Sequence, residues 1–245
     1  MDASTWVWLA IGGFVFVAFT LEAITGFGST VIALALGALL VPIESLLPVL
    51  VPLSLGLSGF MAWRYQTLID WSLLLRTVLP GMLLGTLVGY ALIPFLNGVL
   101  MKQLFGLIII WFAAGELWRG SHNQTRQPKP IWLLRALIGL AGVSHGLFAS
   151  GGPLLVYSMV GLPMDKLRFR ATLSTVWFTL NVVLTCIYWF DGRLLPALPR
   201  VAGYLPLLLA GLWLGEKLHH RVDERQFRKA AFVLLLVTGF LLLKP

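Results

Sequence analysis

The stretch LEAITGFGST, residues Leu21 to Thr30, decides how this chain is read. It lies inside the first apolar tract, which runs from about Thr5 to Val41. Within it the acid Glu22 is followed by Gly26, Gly28, Ser29 and Thr30. Each of these weakens a plain membrane anchor. An ionised acid near a helix centre costs roughly 2.5–3.5 kcal/mol on insertion scales, and a glycine roughly 1 kcal/mol relative to alanine. The tract therefore has work beyond anchoring.

The composition sets the medium. Of 245 residues, 58% are hydrophobic and 11% charged, against roughly a quarter charged in soluble domains. Apolar tracts near or above the ~20 residues that cross a bilayer recur along the whole length. The chain reads as an all-α polytopic membrane protein whose partner is the lipid bilayer. The net charge of +8 does not point to nucleic acid, because the basic residues sit in short loops between apolar segments, where they set topology. The single cysteine, Cys186, excludes an intramolecular disulfide. MDAS at the start has no basic n-region, so the first segment is expected to belong to the mature protein.

Hydropathy gives segments at 5–25, 28–41, 46–63, 72–94 and 99–118, then at 131–149, 153–162, 169–190, 199–218 and 226–243. Two are too short to cross. Segment 28–41 makes about 21 Å of helix at ~1.5 Å per residue, and 153–162 makes less. Each follows a glycine break, GFG at 26–28 and SGGP at 150–153. Such half-helices are tolerated only where protein or a cavity surrounds the exposed backbone. If each broken pair is a re-entrant hairpin, every lysine and arginine except Lys102, Arg193, Arg200 and Lys244 falls on one side. The positive-inside rule then makes that side cytoplasmic and places both termini outside it.

A duplication is visible as well. Pro80, Gly85 and Gly89 stand as P-x4-G-x3-G, and Pro206, Gly211 and Gly215 repeat the spacing 126 residues later. At an offset of 123, Glu22 meets His145 and Gly28 meets Gly151. The expected architecture is a single transmembrane transporter domain, 1–245. It comprises repeat 1 (about 5–118), a polar cytoplasmic loop (119–130) and repeat 2 (about 131–243). Each repeat holds one broken hairpin and three spans, an odd number, so the two are inverted, as in transporters built on broken helices. Locally, the P-x4-G-x3-G pair is expected to pack helices through small residues.

The breaks suggest chemistry. Half-helices starting near Gly28 and Ser150 would aim free N–H groups and positive dipole ends into the membrane interior. Ser29 and Thr30 suit N-caps, and Pro153 suits a first helical position. Gly26, Gly28, Ser29, Thr30, Ser150, Gly151 and Gly152 would together hold a small anion at the midplane. Glu22 and His145, each one turn before a break, are the candidates for proton coupling. Burial would keep Glu22 protonated beside an anion, which makes protons a second partner. Arg170 is a candidate for gathering anions at the inner mouth. There is no HExxH, GxSxG or P-loop motif and no cluster of metal ligands, so neither enzyme activity nor a cofactor is expected. A passive anion channel is one alternative. An intramembrane enzyme pairing His145 with a hydroxyl such as Ser150 is another, and it requires a contact of roughly 2.6–3.2 Å.

AITGFGSTVIALALGALLVP and ASGGPLLVYSMVGLPMDKLRFRATLS resemble the two glycine-rich hairpins of the sulfite-exporter (TauE/SafE) family of membrane permeases. The second hairpin is the better match, and the likeness covers essentially the whole chain. The resemblance implies transport, usually outward, of sulfite, sulfonates or other small sulfur-containing anions across the bacterial inner membrane.

Overall fold

The protein is described by a computed structural model covering residues 3–25, 28–120, 129–159, 162, 164–219 and 224–244. These residues form helices and no strand: α1 (Ala3–Thr25), α2 (Ser29–Gly37), α3 (Ile43–Arg64), α4 (Trp71–Phe95), α5 (Gly98–Gly120), α6 (Ile131–Phe148), α7 (Gly152–Met159), α8 (Lys166–Phe190), α9 (Leu194–His219) and α10 (Glu224–Leu242). Seven are long and apolar enough to cross a membrane, namely α1, α3, α4, α5, α6, α8 and α9. The apolar part of α10, Lys229–Leu242, is shorter. The two segments read as too short are the shortest of the ten, with 9 residues in α2 and 8 in α7. Most of the polar loop expected at 119–130, residues 121–128, lies outside the described residues.

The chain divides into two compact units, one of residues 1–53, 97–123 and 194–245, the other of 54–96 and 124–193. The boundary falls within α3, one residue after its second internal proline, Pro52. In the first unit, α1 packs on α9, α2 folds back on α1, and α5 packs on α10. In the second, α6 packs on α4 and α7 folds back on α6. Each unit thus joins the broken hairpin of one sequence half to the P-x4-G-x3-G helix of the other.

Glycine makes these pairings close. A Cβ at Gly89 would collide with the Val143 carbonyl oxygen, and one at Gly85 with that of Gly139. Across the same interface, a Cβ at Gly142 would stand 2.5 Å from the Met82 carbonyl oxygen, and one at Gly146 would strike that of Thr86. Small residues on both helices let the backbones touch, so association rests on dispersion and carbonyl dipoles rather than on expelling water. The second copy of the motif does the same in the other unit. A Cβ at Gly211 would lie 2.7 Å from the Phe16 carbonyl oxygen, and one at Gly215 2.6 Å from that of Thr20. The packing role expected for the motif is what both copies perform.

Pro80 also explains a local irregularity. It has no N–H and its ring crowds the carbonyl four residues back, that of Arg76. The helix widens into a π-helical stretch at Leu74–Val78, with the Leu79 N–H reaching the Leu74 carbonyl. Below this turn, Leu74, Val78 and Met82 join Leu134, Ile138, Leu155, Met159, Val176 and Leu180 in the apolar core of the second unit. That core fixes α4, α6, α7 and α8 around one another.

At the end of α8 a polar clamp ties it to α4. The Tyr90 hydroxyl donates to Asp191 Oδ2, and Arg193 donates to both that carboxylate (Nε, 2.7 Å) and the Tyr90 oxygen. Burial alone would raise the Asp191 carboxyl, but the donors from Tyr90 and Arg193 hold it below the usual carboxylate range. A depressed carboxyl contributes stability above its unfolded value, near ~4, and loses it as pH falls through the folded value. Asp191→Asn should therefore lower Tm at pH 6, with the deficit shrinking below about pH 4; a deficit independent of pH would show that the carboxylate charge contributes nothing.

The glycine contacts make a second prediction. Gly146→Ala should remove the monodisperse folded species on detergent gel filtration. Gly139→Ala, where an added Cβ meets nothing within 4 Å, should be neutral or raise Tm, since alanine favours helix by up to ~1 kcal/mol. Equal behaviour of the two variants would contradict the packing account.

Candidate functional site

Each unit contains one broken hairpin, and the two breaks are finished differently. In the first unit Gly28 turns the chain with φ 101°, a left-handed backbone that glycine adopts freely. No side chain caps α2 from the Gly28 position. Ser29 and Thr30, read as caps, instead form the first turn of the helix. The capping acceptor comes from the preceding helix, where Glu22 Oε2 accepts the Ser29 N–H at 3.2 Å. A carboxylate there meets the positive end of the helix dipole. The candidate Glu22 thus occupies one of the donors assigned to the anion. Ser29 is buried and Thr30 half-buried, while Gly26 lies outside the described residues.

In the second unit α6 ends at Ala149, which takes a left-handed φ of 49° and donates its N–H to the His145 carbonyl at 2.7 Å. The Ser144 hydroxyl donates to the Ser150 carbonyl at 3.0 Å and sews the break shut. Gly151 is pressed against α6, where a Cβ would strike the Ala141 carbonyl oxygen. Its lack of a side chain therefore serves packing. Gly152 differs, because a Cβ there would make only ordinary contact, 3.6 Å from the Trp177 ring. Helix α7 begins at Gly152, with Pro153 in its first turn as expected. At its other end the Lys129 ammonium donates to the Tyr157 carbonyl at 2.6 Å and sits 4.2 Å from the centre of the Tyr157 ring. A cation at this end matches the negative pole of the half-helix.

The α7 tip gathers buried polar groups that nothing in the protein satisfies. His145 is 2% exposed and Ser150 3%. Both imidazole nitrogens and the Ser150 hydroxyl lack hydrogen-bond partners. The imidazole stacks on Trp177 of α8, with centroids 5.7 Å apart and planes 20° from parallel. Buried Asn181, one turn further along α8, faces the imidazole without reaching hydrogen-bond geometry on either nitrogen. Each orphaned buried polar group costs about 1–3 kcal/mol, and such a group in a native protein calls for an explanation such as a ligand. The tip offers an imidazole, a hydroxyl, the Asn181 amide and the free N–H groups of a helix start, all suited to an oxyanion.

Other candidates fall elsewhere. Arg170 is exposed on α8 and is not brought to the tip. Two residues on, Thr172 donates to the Arg168 carbonyl and accepts the Asp70 N–H. His145 and the Ser150 hydroxyl make no hydrogen bond to each other, so the base–nucleophile contact that an intramembrane enzyme would need is missing. Among the described residues no group of three His, Cys, Asp or Glu side chains is placed to hold a metal. Trp177 is the member of the site that sequence reasoning passed over, since a tryptophan in an apolar run carries no signal of its own.

A profile of the sulfite exporter TauE/SafE family matches residues 10–242. The chain is 29% identical over 164 residues to "Probable inner membrane transporter protein TsaS" of Comamonas testosteroni, covering 66% of this chain and 68% of that protein. It is 23% identical over 230 residues to "Probable sulfite/organosulfonate exporter TauE" of Cupriavidus necator, covering 91% and 89%. No solved structure matches the chain. With residues 10–242 matched by the family profile and apolar helices long enough to cross a membrane, this chain belongs to the TauE/SafE family of membrane transporters.

Proposed function

We propose that the protein is a secondary transporter that exports sulfite or small organosulfonates across the bacterial inner membrane and receives the anion at the α7 tip. The observation that carries this reading is the pair of unpartnered buried groups, His145 stacked on Trp177 and Ser150, beside the start of a half-helix. Sulfite presents several acceptor oxygens on a compact anion. The Ser150 hydroxyl, the Asn181 amide and one imidazole N–H are donors of matching kind. Gly152, where even a Cβ would make only ordinary contact with Trp177, leaves the backbone uncovered on that side for the anion. An inside-negative membrane drives net negative charge outward by ~2.3 kcal/mol per charge per 100 mV, so a sulfite dianion is still driven outward when one proton accompanies it.

Proton coupling belongs to the same reading. Glu22 holds the Ser29 N–H at the α2 tip. An anion approaching this tip competes with the carboxylate for the same donor, and protonation of Glu22 removes the competing charge. Anion and proton then bind together. Duplication with inversion accounts for the frame around both tips. The glycine pairs recur at an offset of 126, and the carbonyls they touch, Phe16 and Thr20 against Gly139 and Val143, recur at 123.

Sulfite flux and binding in proteoliposomes test the reading. Ser150→Ala should weaken sulfite binding about tenfold or more, since a hydrogen bond to a charged group is worth ~1.5–3 kcal/mol, and His145→Ala should abolish saturable flux. Chloride should not compete. Unchanged half-saturation in both variants would remove the anion from this tip. Glu22→Gln should keep sulfite binding while flattening the dependence of flux on pH between about 5 and 8; an unaltered pH profile would reduce Glu22 to a helix cap.

A further inference from the structure

Two more buried polar atoms in the second unit lack partners, the Thr185 hydroxyl and the Tyr188 hydroxyl. Both lie on α8. Together with Trp177 and Asn181 they follow a spacing of four, four and three residues, which places all four on one side of the helix. Cys186, exposed, stands on the opposite side. The stripe begins at the tip, where Trp177 stacks on His145. It ends at the polar clamp, where the Tyr188 ring lies 6.2 Å from Tyr90 and the Arg193 guanidinium carbon 5.2 Å from the Tyr188 ring centre. From Trp177 to Tyr188 the helix rises about 16 Å, roughly half the ~30 Å hydrocarbon core. Arg193 follows the end of α8 and is partly exposed.

We propose that this face of α8, through Asn181, Thr185 and Tyr188, lines the route by which a small oxyanion passes between the α7 tip and the membrane face at Arg193. The inference rests on the transport reading above and adds a path and its lining residues to it. The hydroxyls are spaced about one turn apart, so an anion leaving one donor meets the next. None of them is committed to another protein group. By contrast, Thr175 and Thr179 on the same helix donate to backbone carbonyls four residues back, at 3.0 and 2.9 Å. Arg193 presents guanidinium N–H donors at the mouth, in an ion pair with Asp191. Its pairing with Asp191 and the Tyr90 oxygen keeps it in place without burying an unpaired cation.

Two measurements test the route, one of them independent of transport. In proteoliposomes with an anionic, membrane-impermeant methanethiosulfonate on both sides, Thr185→Cys made in a Cys186→Ser background should react at least tenfold faster than Cys186 in the unmodified chain. A rate no faster than that of Cys186 would overturn the proposal, whether or not sulfite proves to be the substrate. Tyr188→Phe keeps the ring packed against Tyr90 and removes only the orphaned hydroxyl. It should lower maximal sulfite flux at least fivefold while leaving sulfite affinity at the tip within twofold. Unchanged flux would mean that the hydroxyl lies off the path and would also overturn the proposal. Loss of affinity in Ser150→Ala with normal flux in Tyr188→Phe would leave the tip site standing and remove the route alone.

Discussion

A half-helix that starts among buried side chains leaves backbone N–H groups where water cannot serve them, and both broken hairpins are built around that constraint. The two half-helices meet it in opposite ways. At α2 the chain supplies its own anion, Glu22, which accepts the Ser29 N–H. At α7 no carboxylate is supplied. The side chains around that start, His145 and Ser150, are themselves unsatisfied. The two tips differ in what they leave unmet: at α2 a donor is already taken by Glu22, and at α7 buried groups remain without partners.

Holding a half-helix in place requires a rigid neighbour, because eight or nine residues cannot anchor themselves in apolar surroundings. The glycine contacts provide one. With Gly85 and Gly89 on α4 pressed against the backbone of α6, and Gly211 and Gly215 on α9 pressed against α1, each hairpin's long arm is fixed at backbone distance. Side chains between helices would allow rotamer adjustment; direct backbone contact does not. The fixed arm then carries the break. In α6, the Ser144 bond to the Ser150 carbonyl and the seating of Gly151 on Ala141 set where α7 starts. The cation of Lys129 holds its far end. The positions of His145 and Ser150 follow from glycines that never touch a substrate.

Much of this was legible in the sequence, for physical reasons. Helix lengths follow from apolar run lengths, and a glycine break inside a run is a strong local signal, so α2 and α7 could be placed before any coordinates. The glycine spacing of α4 and α9 also showed its role, because small residues one turn apart have few uses in a membrane other than close packing. What could not be read were relations between distant residues of apolar helices. Nothing in the local sequence says that Trp177 lies over His145, or that Glu22 reaches forward seven residues to cap α2. Gly151 and Gly152 look alike in the string SGGP. Only the neighbours distinguish them, Ala141 crowding one and Trp177 leaving room at the other. The uncommitted hydroxyls of Thr185 and Tyr188 were hidden for the same reason, since a helical threonine most often bonds its own backbone, as Thr175 does.

The duplication proposed above gives the difference between the tips a meaning. The contacts that hold the two hairpins correspond residue by residue, with the carbonyls of Phe16 and Thr20 standing where those of Gly139 and Val143 stand. Under that duplication, packing was retained while the chemistry one turn before each break was not, with Glu22 in the place of His145. Had both copies kept an acid, both half-helices would carry their own counter-charge and repel an incoming anion. Had both kept a histidine, no carboxylate would remain to exchange a proton against the substrate. Under the proposed function, one of each would give a binding end and a titrating end. The proposed coupling of an anion to a proton would use that division, and a passive pore would not.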